Sequence, residues 1–106
     1  MKPAAFDYVR AETADEAVQQ LKALGPEARI LAGGQSLMAV LNMRLAQPSV
    51  LIDISRTDDL NFVRSEGGML AVGAAATQAS VEWRSTLAQE VPLLSQAFPF
   101  ISHFQV

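Results

Sequence analysis

The chain has 106 residues, half of them hydrophobic and 18% charged, with a net charge of −3. That length fits one small domain with a modest core, and the composition is globular rather than disordered. The eight basic residues are scattered, which argues against a nucleic-acid surface, and the lack of any cysteine excludes disulfides, thiolate chemistry and cysteine-ligated iron–sulfur clusters within this chain.

In chain order, residues 6–10 alternate as a short strand, with Phe6, Tyr8 and Arg10 on one face. A helix follows. Thr13 and Glu16 have capping-box spacing, and Ala14, Ala17, Val18, Leu21 and Leu24 form its apolar face. Gly25 and Pro26 close it. Residues 28–32, ARILA, read as a second strand, apolar enough to be covered on both faces. A second helix over residues 36–45 is apolar almost all round, which predicts deep burial. Pro48 ends that region, and VLIDI forms a third strand.

Residues 62–65 and 69–73 predict a hairpin turning at Gly67-Gly68. Residues 77–91 read as one helix capped by Thr77, and Pro92 opens another, stopped near Pro99. The order β-α-β-α-β-β-β-α-α predicts an α+β domain, or an α/β one. PFISHFQV, residues 99–106, ends the chain on an apolar, strand-like note, as a fragment would. Phe98, Phe100, Ile101, Phe104 and Val106 would then lack part of their cover, and the piece alone would self-associate.

His103 is the single histidine, so a multi-histidine metal site is excluded, and a structural role is expected for it. Asp53 is expected to bond locally at a strand end, Asp58-Asp59 to cap or solvate a loop, and Trp83 to pack in the core. The N-terminus has no signal-like apolar stretch, and no apolar run approaches a membrane span of about 20 residues. The expected location is the cytoplasm.

The sharpest feature is Gly33-Gly34 between the second strand and second helix. Glycines at such a turn can take positive φ and bring bare main chain close to a ligand. Successive N–H groups there form an anion-binding concavity that needs no lysine. Taken alone, the pair more often serves only as a tight strand-to-helix turn, because glycine-rich turns are common. A Rossmann site is a rival, because Asp53 lies 20 positions after Gly33. The Gly-x-Gly-x-x-Gly fingerprint is missing, and the hairpin signal speaks against a continuing parallel sheet.

RILAGGQSLMAVLNMRLAQPSVLIDIS, residues 29–55, is similar to the first flavin-binding segment of the FAD-binding medium subunits of molybdenum hydroxylases, the carbon monoxide dehydrogenase and xanthine dehydrogenase group. The matching pieces are Ala32-Gly33-Gly34-Gln35-Ser36-Leu37, Arg44-Leu45, Pro48 and the Leu-Ile-Asp-Ile strand. Gly73, Ala74 and Thr77 resemble the family's Gly-Ala-x-x-Thr landmark.

The resemblance implies an FAD-binding domain of the p-cresol methylhydroxylase (PCMH) type, in which two α/β subdomains enclose FAD without a Rossmann fold. Residues 1–60 would be the first subdomain and residues 61–106 the start of the second. It further implies that Arg29, Ile30, Leu31, Ala32, Gly33, Gly34, Gln35, Ser36 and Leu37 wrap the FAD diphosphate, with Thr77, Ile101 and Ser102 nearer the isoalloxazine. No residue is implied in proton transfer. The implied partners are a molybdopterin-binding large subunit and a small subunit carrying [2Fe-2S] clusters, with electrons passing from the clusters to FAD and on to an acceptor. The family's second glycine-rich motif, Arg-Asn-x-Gly-Thr-Ile-Gly-Gly, would follow Val106. The piece alone is therefore expected to be inactive and to hold FAD poorly. The alternative, from another class, is a subunit-docking module in which the glycine turn is only structural.

Overall fold

The computed structural model describes residues 1–101, 103, 105 and 106. Three strands, β1 (Asp7–Arg10), β2 (Ala28–Leu31) and β3 (Val50–Asp53), form a parallel sheet in the order β1-β3-β2. Tyr8 pairs with Leu51 on one side of β3, and Arg29 pairs with Leu51 on the other. Parallel strands need crossovers, and helices α1 (Ala14–Leu24) and α2 (Leu37–Asn42) supply them.

Its central position explains why all four residues of β3 are buried. β2 was expected to be covered on both faces, but it is an edge strand with Arg29 exposed. The first core gathers Ala11, Ala17, Ala28, Val50, Ile52 and Ile54, with Val9, Leu21, Ile30 and Leu60 packed against it. From β1, Val9 and Ala11 turn inward while Tyr8 and Arg10 stay exposed.

The α1 signals act as read, with one addition. Thr13 Oγ1 accepts from the Glu16 N–H at 3.1 Å, and Glu16 accepts from the Glu12 N–H at 2.8 Å. Gly25 takes φ 75° and ends the helix. Its buried stripe is narrower than predicted: Ala17 and Leu21 pack inward, while Val18 and Leu24 are exposed.

Deep burial of the second helix is not found. It spans only Leu37–Asn42, and Leu41 alone is buried. Met43 is 56% exposed and Leu45 71% exposed, both beyond its end. The physical reason is geometric: a helix of under two turns turns few side chains toward a sheet. Arg44 ends it at φ 56°, where its N–H reaches the Leu41 carbonyl and the Leu45 N–H reaches that of Val40. This is a Schellman stop with an arginine in the glycine position.

The hairpin forms as predicted from β4 (Val63–Glu66) and β5 (Met69–Val72), with Gly67 and Gly68 both at positive φ as a type I′ turn requires. The expected single helix over 77–91 is two, α3 (Gln78–Glu82) and α4 (Leu87–Glu90), followed by α5 (Pro92–Ala97). The break frees Arg84 to pair with Glu90 at 2.6 Å and to donate to the Val63 carbonyl at 3.2 Å, tying α4 to the hairpin.

A second core joins Val81, Leu87 and Phe98 with Val63, Leu70, Val91 and Leu94. Phe98, expected to be uncovered, is therefore buried. Trp83, expected in the core, is 78% exposed. It stands just past α3, outside the face that carries Val81. Among the described residues of 101–106 there is no strand; Val106 turns back to donate to the His103 carbonyl. Helices and strands are thus arranged as an α+β fold, with the parallel layer and the hairpin unit built from separate cores.

Candidate functional site

The C-terminal ends of β2 and β3 face the segment that leads from β5 into α3. Between them lies an open cleft of about 460 Å³, lined by Ala32, Gly33, Gln35 and Ser55 on one side. Ala74–Ala76, Thr77, Gln78 and Ala79 line the other side, with Gln105 and Val106 at one end. Ligands of α/β sheets settle at such strand ends. Among the described residues of the lining, none has a charged side chain.

Main-chain donors crowd this cleft. Among the described residues, the N–H groups of Gly33, Gly34, Gln35, Ser36 and Leu37 find no acceptor. Those of Thr77, Gln78 and Ala79 across the cleft also find none. Most of these residues are exposed, and Gly33, Gln35, Thr77, Gln78 and Ala79 line the cleft, so their N–H groups are open to water or to an acceptor-rich ligand.

The two glycines differ. Gly34 takes φ 76°, and a Cβ there would press on Leu31 and Met38 at 3.3 Å each, so the fold itself requires glycine. Gly33 is not at positive φ, contrary to what its sequence context suggested, and a Cβ there would meet no described atom within 4 Å. Its bareness leaves room on the cleft side rather than serving the chain's own packing.

The remaining expected site residues are spread out. Ala32 and Gln35 line the cleft, and Gln35 donates to the Gln105 carbonyl at 3.2 Å. Ser36 precedes α2 without capping it through its side chain, and Leu37 begins that helix half-buried. Arg29 turns away, bonding the Pro26 and Ala28 carbonyls. Ile30 packs into the first core, and Leu31 lies under Gly34.

Thr77 lines the cleft, but its hydroxyl accepts from the Ser80 N–H at 3.1 Å and so caps α3. Ile101 lies in a separate hollow of about 130 Å³ with Trp83, Phe98 and His103. Ser102 lies outside the described residues, as does Phe104. Sequence reading missed Ser55, Gln78 and Gln105 as lining. Only the strand-end position of Ser55, two residues past Asp53, could have signalled one of them.

Asp53 does not serve a ribose. Its carboxylate accepts from the Tyr8 hydroxyl on one oxygen and from the Ser55 N–H at 2.8 Å on the other. Burial opposes its ionisation, but the bonds from Tyr8 and Ser55, helped by Arg10, outweigh that and hold its pKa below the usual carboxylate value. The same bond pushes the Tyr8 phenol up. With Asp53 occupied and β4–β5 forming its own antiparallel pair, the Rossmann alternative fails.

A short parallel βαβ layer thus carries, at its strand ends, an open cleft lined by small and polar uncharged side chains among the described residues. Comparison with known proteins makes this specific. The family described as "FAD binding domain in molybdopterin dehydrogenase" matches residues 4–106, and the chain belongs to that family; its cofactor is FAD.

The chain is 41% identical over 106 residues to the 6-hydroxypseudooxynicotine dehydrogenase complex subunit alpha of Paenarthrobacter nicotinovorans, covering all of this chain and 36% of that one. It is 37% identical to the carbon monoxide dehydrogenase medium chain of Hydrogenophaga pseudoflava, again over its whole length and 37% of the relative's. Among solved structures, reconstituted carbon monoxide dehydrogenase from Oligotropha carboxidovorans superposes with a TM-score of 0.94 at 37% identity, over 99% of this chain and 37% of that one. Quinoline 2-oxidoreductase from Pseudomonas putida 86 superposes at 0.90 with 37% identity, over 97% of this chain and 36% of that one. The chain thus spans little more than a third of the length of the curated relatives it matches.

Proposed function

We propose that this chain is part of the FAD-binding subunit of a molybdenum-containing dehydrogenase or hydroxylase, and that residues 33–37 hold the FAD diphosphate. One observation supports the reading: the main-chain N–H groups of residues 33–37 have no acceptor among the described residues, and Gly33 and Gln35 of that run line a cleft whose described lining has no charged side chain. A diphosphate offers many acceptor oxygens and spreads its charge, so several weakly polar donors in fixed positions can bind it. Gly34 fixes the turn, Gly33 leaves the approach open, and Gln35 adds a side-chain amide. Thr77, Gln78 and Ala79 offer the opposing donors, and the run of alanines keeps that wall low enough for a flat ring system.

FAD supplies the electron-carrying chemistry, between [2Fe-2S] clusters on a small subunit and an acceptor, while a molybdopterin-binding large subunit oxidises the substrate. This chain's residues bind and orient the cofactor; none is placed to transfer a proton. Among the described residues no group of three or more His, Asp or Glu could hold a metal ion. Among the same residues no helix is long and apolar enough to cross a membrane, and the relatives are subunits of enzyme complexes. We therefore read the location as the cytoplasm. Exposed Phe100, Leu93 and Trp83 favour self-association of residues 1–106 taken alone.

Gly33→Val in the full-length subunit tests the reading. Nothing described in the chain opposes the added side chain, so the fold is expected to persist while FAD retention drops at least about tenfold. Full flavin content, read by absorbance against protein, refutes the assignment.

A further inference from the structure

The strand order β1-β3-β2 sets the two crossover helices on opposite faces of the sheet. The connection from β1 to β2 passes across β3 in one direction and that from β2 to β3 returns, so right-handed crossovers place α1 and α2 on opposite sides. Ala17 and Leu21 of α1 cover the face of Val9, Ile30 and Ile52. Tyr8, Leu51 and Arg29 share a row on the other face, which has only the six residues of α2 to cover it. Parallel sheets are ordinarily covered on both faces. Here Tyr8 stays 54% exposed, and Met43 and Leu45 stand exposed beyond the end of α2.

α2 starts at the glycine loop and returns toward the strand starts, so its end lies at the edge of the sheet opposite the cleft. There Met1, Lys2, Asn42, Met43 and Arg44 line an open hollow of about 250 Å³. The chain has 11 Asp and Glu, yet residues 1–6 and 28–52 hold none, while Lys2, Arg29 and Arg44 fall within them. Asp7, at the same edge, pairs with Val50 and so faces α1. An acidic protein thus presents one surface that is apolar and cationic.

Arg44 is held at φ 56°, where an L side chain is strained. Among the described residues its guanidinium makes one bond, from Nε to the exposed Lys2 carbonyl at 3.3 Å, so its terminal nitrogens are open to another acceptor. Local bonding therefore gives no reason for a strained arginine at this stop, and such strain gathers where a residue serves a ligand or partner. Its planar donors match a carboxylate, and exposed Met and Leu around an arginine are the composition of a protein interface. A lipid surface calls for about four or more clustered cations. A second copy of this surface, brought in about a two-fold axis, would set like charges together.

We propose that the end of α2 is a docking surface for another subunit of the complex: Arg44 takes a carboxylate of that subunit, and apolar side chains around the carboxylate cover Met43 and Leu45. This inference rests on the chain being part of a multi-subunit dehydrogenase, and not on where FAD sits.

The complex assembled from full-length subunits tests it. Assembly affinity, the melting temperature of the free subunit and flavin content are read for Arg44→Gly, Arg44→Glu and Leu45→Ser. Arg44→Gly is expected to weaken assembly at least about fivefold while the free subunit melts higher, a pairing that a merely structural arginine does not produce. Arg44→Glu is expected to weaken it at least about tenfold and Leu45→Ser about threefold, with flavin content unchanged in all three. Unaltered assembly of Arg44→Gly overturns the proposal. So does Arg44→Glu that assembles normally but lowers the melting temperature of the free subunit, which would place the rest of its own chain on this surface. A full-length subunit that takes no partner overturns the docking surface and the complex together. Full flavin content in Gly33→Val refutes the cofactor site alone, because assembly is read independently of it.

Discussion

A Cβ on Gly73 would stand 2.0 Å from the carbonyl oxygen of Leu60. The two main chains touch because the Gly73 N–H donates to Phe62 O at 2.8 Å and the Ala75 N–H to Leu60 O at 2.9 Å. Leu60 packs on the first core, and Gly73 leads from β5 into the cleft wall. This contact sets how the alanine wall meets the strand ends. Gly73→Ala must move one main chain, and a loss of more than about 3 kcal/mol in urea unfolding is expected. A stability within 1 kcal/mol of the unaltered protein, on the same scale, contradicts the close approach.

Arg44 illustrates the opposite case. It occupies φ 56° at a helix stop, where glycine carries no Cβ penalty. Its guanidinium donates only to the exposed Lys2 carbonyl at 3.3 Å among the described residues. Arg44→Gly is expected to raise stability by about 0.5–1 kcal/mol, read as a higher thermal midpoint.

The cap of α1 comes partly from far along the chain. The Ala14 N–H donates to both carboxylate oxygens of Asp59, at 3.0 and 3.1 Å. Asp59→Ala is expected to cost about 1 kcal/mol and Asp59→Asn less, since the amide oxygen still accepts. Equal stability of Asp59→Ala and the unaltered protein in denaturant melts would remove Asp59 from the cap.

Glu90 makes the hairpin unit sensitive to acid. The Arg84 guanidinium, with the Ser65 and Thr86 hydroxyls, pulls its pKa from 4.5 down to about 2. A depressed folded-state pKa contributes stability above the unfolded value and loses it as pH falls through the folded one. The urea midpoint should therefore decline between about pH 4.5 and 2, and Glu90→Gln should flatten that decline while lowering the midpoint at pH 7. A Glu90→Gln profile parallel to that of the unaltered protein would show that the pair does not act.

Local signals were read from the sequence with success wherever the deciding chemistry is local. Thr13, Gly25 and the Gly67-Gly68 turn act within four residues of themselves. The glycine loop, too, is legible as a strand-to-helix kink. What the sequence does not display is placement across the sheet. That β3 rather than β2 is central follows from strand order, and periodicity cannot register it. Trp83 shows the same limit, since helical spacing assumes one helix where Arg84 and Glu90 break it in two. Ser55 and Gln105 enter the cleft only because separate segments converge there, and no spacing encodes that meeting.

The position of the FAD diphosphate in a crystal structure of the full-length, flavin-loaded subunit tests the amide cradle most directly. Phosphate oxygens within about 3 Å of the N–H groups of residues 33–37 are expected, with Gly33 nearest the ligand. A diphosphate bound elsewhere, with those amides facing only water, would contradict it.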